Sequence, residues 1–213
     1  MTAMTPLEIL LQNYPQLADC KADIEHAAQI VVACQEQGGT FFTCGNGGSC
    51  ADADHISGEL LKGFCKKRPM SAEEREALAA ESPDVAEVLS TRLQRGLRCI
   101  SLMNFPGAGS AVRNDLGGEL DAAQVLYALG RPGDVLLGIS TSGNAKNVRY
   151  AVAVARLKGM KVLGMTGEGG GTLAQLADVA IRVPSRETYR IQEYHLPIYH
   201  ALCRMVENHF FAE

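Results

Sequence analysis

His55 and Glu59 stand four residues apart, a spacing that puts both side chains on one face of a helix. Gln192, His195 and His200 fall together near the other end of the chain, in a second helical stretch. A carboxylate and an imidazole placed across a reacting carbon can divide the work of a proton transfer, one as base and one as acid. The same side chains suggest a partial metal site. By itself, however, a His-x-x-x-Glu pair is a weak signature, and a glutamine amide is an uncommon ligand. Taken singly, each histidine reads more readily as a capped or core residue than as a catalyst.

Two further clusters could bind an anion. Gly45-Asn46-Gly47-Gly48-Ser49 follows a short apolar run and precedes a helical one. Ser140-Thr141-Ser142-Gly143-Asn144 repeats that arrangement with three hydroxyls. Glycines let backbone amides approach a ligand, and the following helix N-terminus favours negative charge. Such a cradle suits a phosphomonoester without needing lysine or arginine. Neither loop has the G-x-x-x-x-G-K pattern. Neither matches G-x-G-x-x-G, because Cys50 stands where the third glycine belongs. A nucleotide cofactor is therefore not expected.

These groups need elements to hold them. Residues 6–14 and 21–37 read as helices. Apolar strand candidates follow at 40–44, 98–103, 134–139, 161–165 and 179–183, with helical stretches at 50–62, 108–116, 122–128, 146–158 and 172–176. A long final helix is expected over 188–211. Strands that alternate with helices and are apolar almost throughout predict a parallel sheet covered on both faces. In such a sheet, ligands sit beyond the carboxyl ends of the strands, where both glycine loops fall. The charge-dense stretch 66–96 predicts one or two amphipathic helices, with Val85, Leu89 and Leu93 at i, i+4, i+8. It reads as a surface excursion, or more sharply as a lid or oligomer contact.

Composition narrows the classes. The chain has 213 residues, 46% hydrophobic and 21% charged, with a net charge of −4. That is enough for one domain with a core of its own, and it lacks the basic excess of a nucleic-acid binder. No run of about 18 apolar residues is present, so no membrane span is expected. The first residues do not read as a secretory signal. The seven cysteines form no C-x-x-C pair, which fits free thiols in a reducing cytoplasm.

Three separated motifs carry a resemblance. G-N-G-G-S-x-x-D-A-x-H-x-x-x-E at 45–59, D-V-L-L-G-I-S-T-S-G-N at 134–144 and R-I-Q-E-x-H-x-x-x-x-H at 190–200 together resemble the sugar isomerase (SIS) domain, in its phosphoheptose isomerase branch. The resemblance implies a single domain over 1–213, with N-terminal helices over 4–38. Its fold would be an α/β, flavodoxin-like three-layer sandwich on a five-stranded parallel sheet, with a helical insertion near 70–96. It implies a homotetramer with interface active sites and a phosphorylated sugar substrate. The reaction would convert sedoheptulose 7-phosphate to glycero-manno-heptose 7-phosphate through an enediol. Glu59 and His200 would be the acid–base pair. Asn46, Gly47, Ser49, Asn114, Asp115, Ser140, Thr141, Ser142 and Gln192 would meet the substrate. His55, Glu59, Gln192 and His200 match positions that hold zinc in some members. Some close relatives are instead scaffolds that bind the replication initiator protein, but these commonly lack the glutamate and the final histidine.

The chain departs from that family in four places. Ala145 replaces a frequent serine after Asn144, removing a hydroxyl near the phosphate. Tyr189 stands where some members carry aspartate. Pro197 falls inside the last helix and is expected to kink it. The insertion near 70–96 separates Arg68-Pro69 from the second strand.

Overall fold

The structure, a computed structural model, describes residues 4–211. Its sheet comprises β1 (Phe41–Cys44), β2 (Cys99–Ser101), β3 (Val135–Ile139), β4 (Lys161–Thr166) and β5 (Val179–Arg182). All pairings are parallel, in the order β2-β1-β3-β4-β5. Every residue of β1 and of β3 is buried, as a strand covered on both faces requires.

Side chains alternate between two cores with a period of two. Phe41, Val135, Leu137 and Leu163 point to one face, where α1 (Pro6–Asn13), α2 (Lys21–Glu36), α3 (Gly48–Leu61) and α10 (Thr188–Phe210) pack. Phe42, Leu136 and Val162 point to the other, against α7 (Asp121–Leu129), α8 (Lys146–Leu157) and α9 (Gly171–Leu176). The result is the expected three-layer α/β sandwich. The chain leaves β1 toward one edge and returns at β3 toward the other, so the sheet order reverses between them. The two glycine loops leave the carboxyl ends of those two strands, at the point where a doubly wound sheet opens a crevice.

Several local features refine the sequence reading. A 3₁₀ turn over Pro15–Cys20 separates α1 from α2, and β2 is only three residues long. The insertion forms two helices, α4 (Ala72–Glu81) and α5 (Pro83–Arg92), followed after β2 by α6 (Pro106–Asp115). Helix α4 buries no residue and α5 only Ala86, while Val85 and Leu93 are 40% and 52% exposed. The i, i+4, i+8 stripe therefore covers no core. The two helices pack on each other instead, over a neck closed by Arg95 N–H donating to Arg68 O at 2.6 Å. Pro197 removes one donor, yet α10 continues through it. Leu7, Leu10, Leu202 and Val206 are core residues of the chain itself, and Leu11, Met205 and Phe210 pack against that core partly buried.

Helix α10 also buries an ionisable group. His195 is fully buried. Its Nε2 lies 3.4 Å from Thr166 O, Nδ1 has no partner, and burial pushes its pKa down to about 4. Between pH 6.5 and about 4, the unfolded chain takes up a proton there that the folded chain refuses. Stability should therefore fall as pH drops through that window, by roughly 3 kcal/mol in all from this group. Urea unfolding at several pH values would read that slope, and His195→Gln should flatten it.

Candidate active site

The site has two halves on the same pair of helices. The first is a cleft of about 320 Å³ between the glycine loops, lined by Asn46, Gly47, Gly48, Ser49, Ser140, Thr141, Ser142, Ala145, Thr188 and Gln192. Helices α3 and α8 begin here, and neither has a side-chain cap. Among the described residues the amides of Lys146, Asn147 and Val148 have no protein acceptor, whereas at α3 Ser49, Cys50 and Ala51 N–H already donate to Asn46 O and Gly47 O, leaving Gly48; both dipoles favour an anion. Ala145 is the N-cap of α8, so the missing hydroxyl leaves that terminus open rather than self-capped. Lys146 stands at the same terminus but is tied to Glu119 at 2.6 Å.

Neighbouring elements hold the loops rigid. Asn46 and Asn147 exchange reciprocal amide hydrogen bonds of 2.8 and 2.7 Å, joining the first loop to the first turn of α8. Asn144 Oδ1 accepts from the amide and hydroxyl of Thr172, at 3.0 and 3.1 Å. Gly143 has φ +68°, and a Cβ there would lie 2.0 Å from Gly170 O, so only glycine lets the two loops close on each other. The amide end of Gln192 lies on Gly48, where a Cβ would come within 2.5 Å of Nε2.

The second half lies further along α3, where Asp52, His55 and Glu59 share a face. His55 Nε2 is 2.9 Å from Glu59 Oε1, and His55 Nδ1 is 2.9 Å from the Tyr199 hydroxyl. The His200 ring stands nearly perpendicular to that of His55, with centroids 5.1 Å apart, and packs beside Tyr199 and Phe64. Its Nε2 is buried without a protein partner. Burial lowers the His200 pKa, the neighbouring His55 lowers it further, and Glu59 pulls the other way without prevailing. His200 is therefore a neutral imidazole near pH 7, able to give and take a proton. Burial also raises the pKa of Asp52 and of Tyr199, the latter further because the Asp52 carboxyl is its neighbour.

The structure thus brings Glu59 and His200 together, and gathers Asn46, Gly47, Ser49, Ser140, Thr141, Ser142 and Gln192 around the cleft. It does not bring Asn114 and Asp115 there. Both are exposed at the end of α6, where Asn114 donates to Asp115 at 2.7 Å. Tyr189 faces solvent and donates to Glu187.

The donor types named for zinc suit that ion. His55, Glu59 and His200 cluster between α3 and α10, while the Gln192 amide lies on Gly48 at the cleft. Among the described residues, no group of three His, Cys, Asp or Glu side chains is already placed to hold a metal ion, and no chemical step below depends on one.

Sequence reading missed Asn147, Thr188, Asp52 and Tyr199. Asp52 was within reach of helical spacing, three residues before His55. Tyr199 was hidden because adjacent helix positions ordinarily point apart. Here His55 lies between Tyr199 and His200 and touches both.

Comparisons with known proteins agree with this geometry. SIS-domain family models match residues 15–96 and 118–203. The chain is 39% identical to the phosphoheptose isomerase of Rhodospirillum rubrum, over 91% of this chain and 89% of that one. It is also 39% identical to the one from Campylobacter jejuni, over 89% and 88%. Among solved structures, phosphoheptose isomerases from Francisella tularensis and Neisseria gonorrhoeae superpose with TM-scores of 0.72 and 0.68, at 30% and 31% identity. They cover 96% and 94% of this chain, and 100% and 98% of those. With identity of this level spread over almost the whole of both partners, the chain belongs to the phosphoheptose isomerase family of SIS-domain proteins.

Proposed function

We propose that this protein is an aldose–ketose isomerase that interconverts sedoheptulose 7-phosphate and glycero-manno-heptose 7-phosphate. One observation carries the reading: an anion cradle and an acid–base pair lie on the same helices, α3 and α10, a sugar's length apart. Ser49 opens α3 in the cleft, while His55 and Glu59 follow roughly 9 and 15 Å along the axis, at 1.5 Å per residue. An extended seven-carbon phosphate ester, with bonds of about 1.5 Å, reaches roughly 10 Å from phosphorus to C1. A triose phosphate would fall well short.

With the phosphate on the α3 and α8 termini, C1 and C2 of the ketose come to Glu59 and His200. Glu59 takes a proton from C1 while His200 donates one to the C2 carbonyl oxygen, giving the enediol. His200, left as a proton acceptor, takes the proton of the C1 hydroxyl as Glu59 returns its proton to C2, and the aldose forms. Atoms and charge balance without an external oxidant or reductant. The low pKa of His200 favours this shuttle, because the neutral ring can donate and then accept.

The test uses the wild-type chain with sedoheptulose 7-phosphate in deuterated water, followed by proton NMR. The aldose should appear with deuterium at C2. Neither product nor exchange, with the substrate intact, would overturn the assignment.

A further inference from the structure

We infer that Asn147 is a positioning residue of the anion cradle, its carboxamide holding Asn46 so that the two glycine loops present their amides to one phosphate group. The identity of that ligand rests on the phosphosugar reading. Strands β1 and β3 pair in parallel, with Cys44 opposite Gly138, so the loops that follow them start side by side. They then part. Helix α3 packs into one core through Ala53, Ile56 and Leu60, and α8 packs into the other through Val148, Ala151 and Val152, on the opposite face of the sheet. Two helices on opposite faces aim their first amides at a common point only if their loops are held together. Among the described residues, the amides of Gly47 and Gly48 on one side, and of Lys146, Asn147 and Val148 on the other, have no protein acceptor.

One pair of side chains bridges that gap. Asn46 Nδ2 donates to Asn147 Oδ1 at 2.8 Å, and Asn147 Nδ2 donates to Asn46 Oδ1 at 2.7 Å. Each carboxamide gives the other one donor and one acceptor, and exchanging O and N in both residues leaves the same two bonds. Among the described residues, no other hydrogen bond joins Asn46, Gly47 or Gly48 to an element beyond α3. The local backbone does not fix this loop by itself, because Gly47 sits at φ +54° with open space around it. The second loop is braced independently, by Asn144 on Thr172 and by Gly143 against Gly170. Asn147 therefore stands on the rigid side and Asn46 on the side that needs holding.

Asn147→Ala removes both bonds but keeps the main-chain amide, and alanine suits the first turn of α8. Inorganic phosphate is the probe, titrated against the backbone amide signals of the two loops. Its Kd should rise about tenfold in the variant, the scale of one or two lost hydrogen bonds. KM for sedoheptulose 7-phosphate should rise by a similar factor while kcat changes less than about threefold, because the reacting carbons lie at the other end of α3. In an Asn46→Ala background the same substitution should move neither constant, since nothing is left for Asn147 to hold. A merely structural role would add its loss in that background as well. Kd and KM within about twofold of wild type in Asn147→Ala would overturn the proposal, and so would an equal loss in the absence of the Asn46 side chain. Should the alanine variant fail to fold, Asn147→Leu keeps the size of the side chain without either bond and is read in the same way. Wild-type protein that binds phosphate but turns over no sedoheptulose 7-phosphate would count against the isomerase reading, and the phosphate titrations would still decide the role of Asn147.

Discussion

Glu59→Gln should give a folded protein that has lost turnover by a factor of about 10² to 10⁴, the range removed with a general base. That corresponds to roughly 3–5 kcal/mol of transition-state stabilisation. The amide keeps the size and shape of the carboxyl but cannot take a carbon-bound proton. Little of the fold depends on that side chain. Its contacts are His55 at 2.9 Å and Lys62 at 3.7 Å, while the structural bond from Arg68 goes to the main-chain carbonyl, which the substitution keeps. KM should change less than kcat, because the phosphate is held at the other end of α3. Steady-state kinetics with a thermal melt would separate the two effects. A variant that melts like the wild type and still turns over within tenfold of it would remove Glu59 as the base.

The fold was largely legible in the chain. Strands such as Phe41–Cys44 and Val135–Ile139 are too uniformly apolar to have a solvent face, and each runs into a glycine loop and then a helix. Parallel pairing follows from that alternation, and the anion cradle follows from parallel pairing. The strand order was not legible from residue types, because nothing in β1 says whether β2 or β3 lies on a given side. An apolar stripe on α1 or α10 says that something covers it, not whether the cover is this chain or another; here Leu7, Leu10, Leu202 and Val206 join the core of the chain itself, while Leu11, Met205 and Phe210 are only partly buried. The insertion is the surface excursion that its charge density suggests: it forms two helices, and Val85 and Leu93 have helical spacing but meet no core.

The candidate site divides in the same way. Glu59, His55 and the hydroxyl loops were visible because their spacing is local. Gln192 and His200 share one helix, but their separation along it sends one to the cleft and the other to the acid–base cluster. Only coordinates show that division. Tyr199 and Asp52 meet where α3 packs against α10, elements more than a hundred residues apart in the chain.

The largest effect on stability should come from a residue outside the chemistry, Glu207. It is fully buried on α10 with Arg68, which is also fully buried, in a bridge of 2.8 Å. Glu207 also accepts from the amides of Phe64 and Cys65, both at 2.9 Å, and from Arg68 Nε at 2.9 Å. Burial alone would raise its pKa, but the Cys65 and Phe64 amides and the Arg68 guanidinium together hold it below the ordinary carboxylate range. Its contribution is therefore present above the pKa of an unfolded glutamate and is lost as pH falls through the lowered folded value. Glu207→Gln leaves a buried guanidinium without its counter-charge, which should destabilise the protein by about 3–5 kcal/mol. Arg68 also donates to Leu60 O at 2.7 Å and to Glu59 O at 3.2 Å, so it closes the last turn of α3, where the base sits. Loss of Glu207 should then lower kcat as well, even at temperatures where the variant is still folded. Replacing both partners by methionine removes the stranded charge, and the double variant should be more stable than Glu207→Gln alone. Urea unfolding of the variants measures this directly. A Glu207→Gln variant within 1 kcal/mol of wild type would mean that the guanidinium finds water or another acceptor, and that the end of α3 does not depend on the pair.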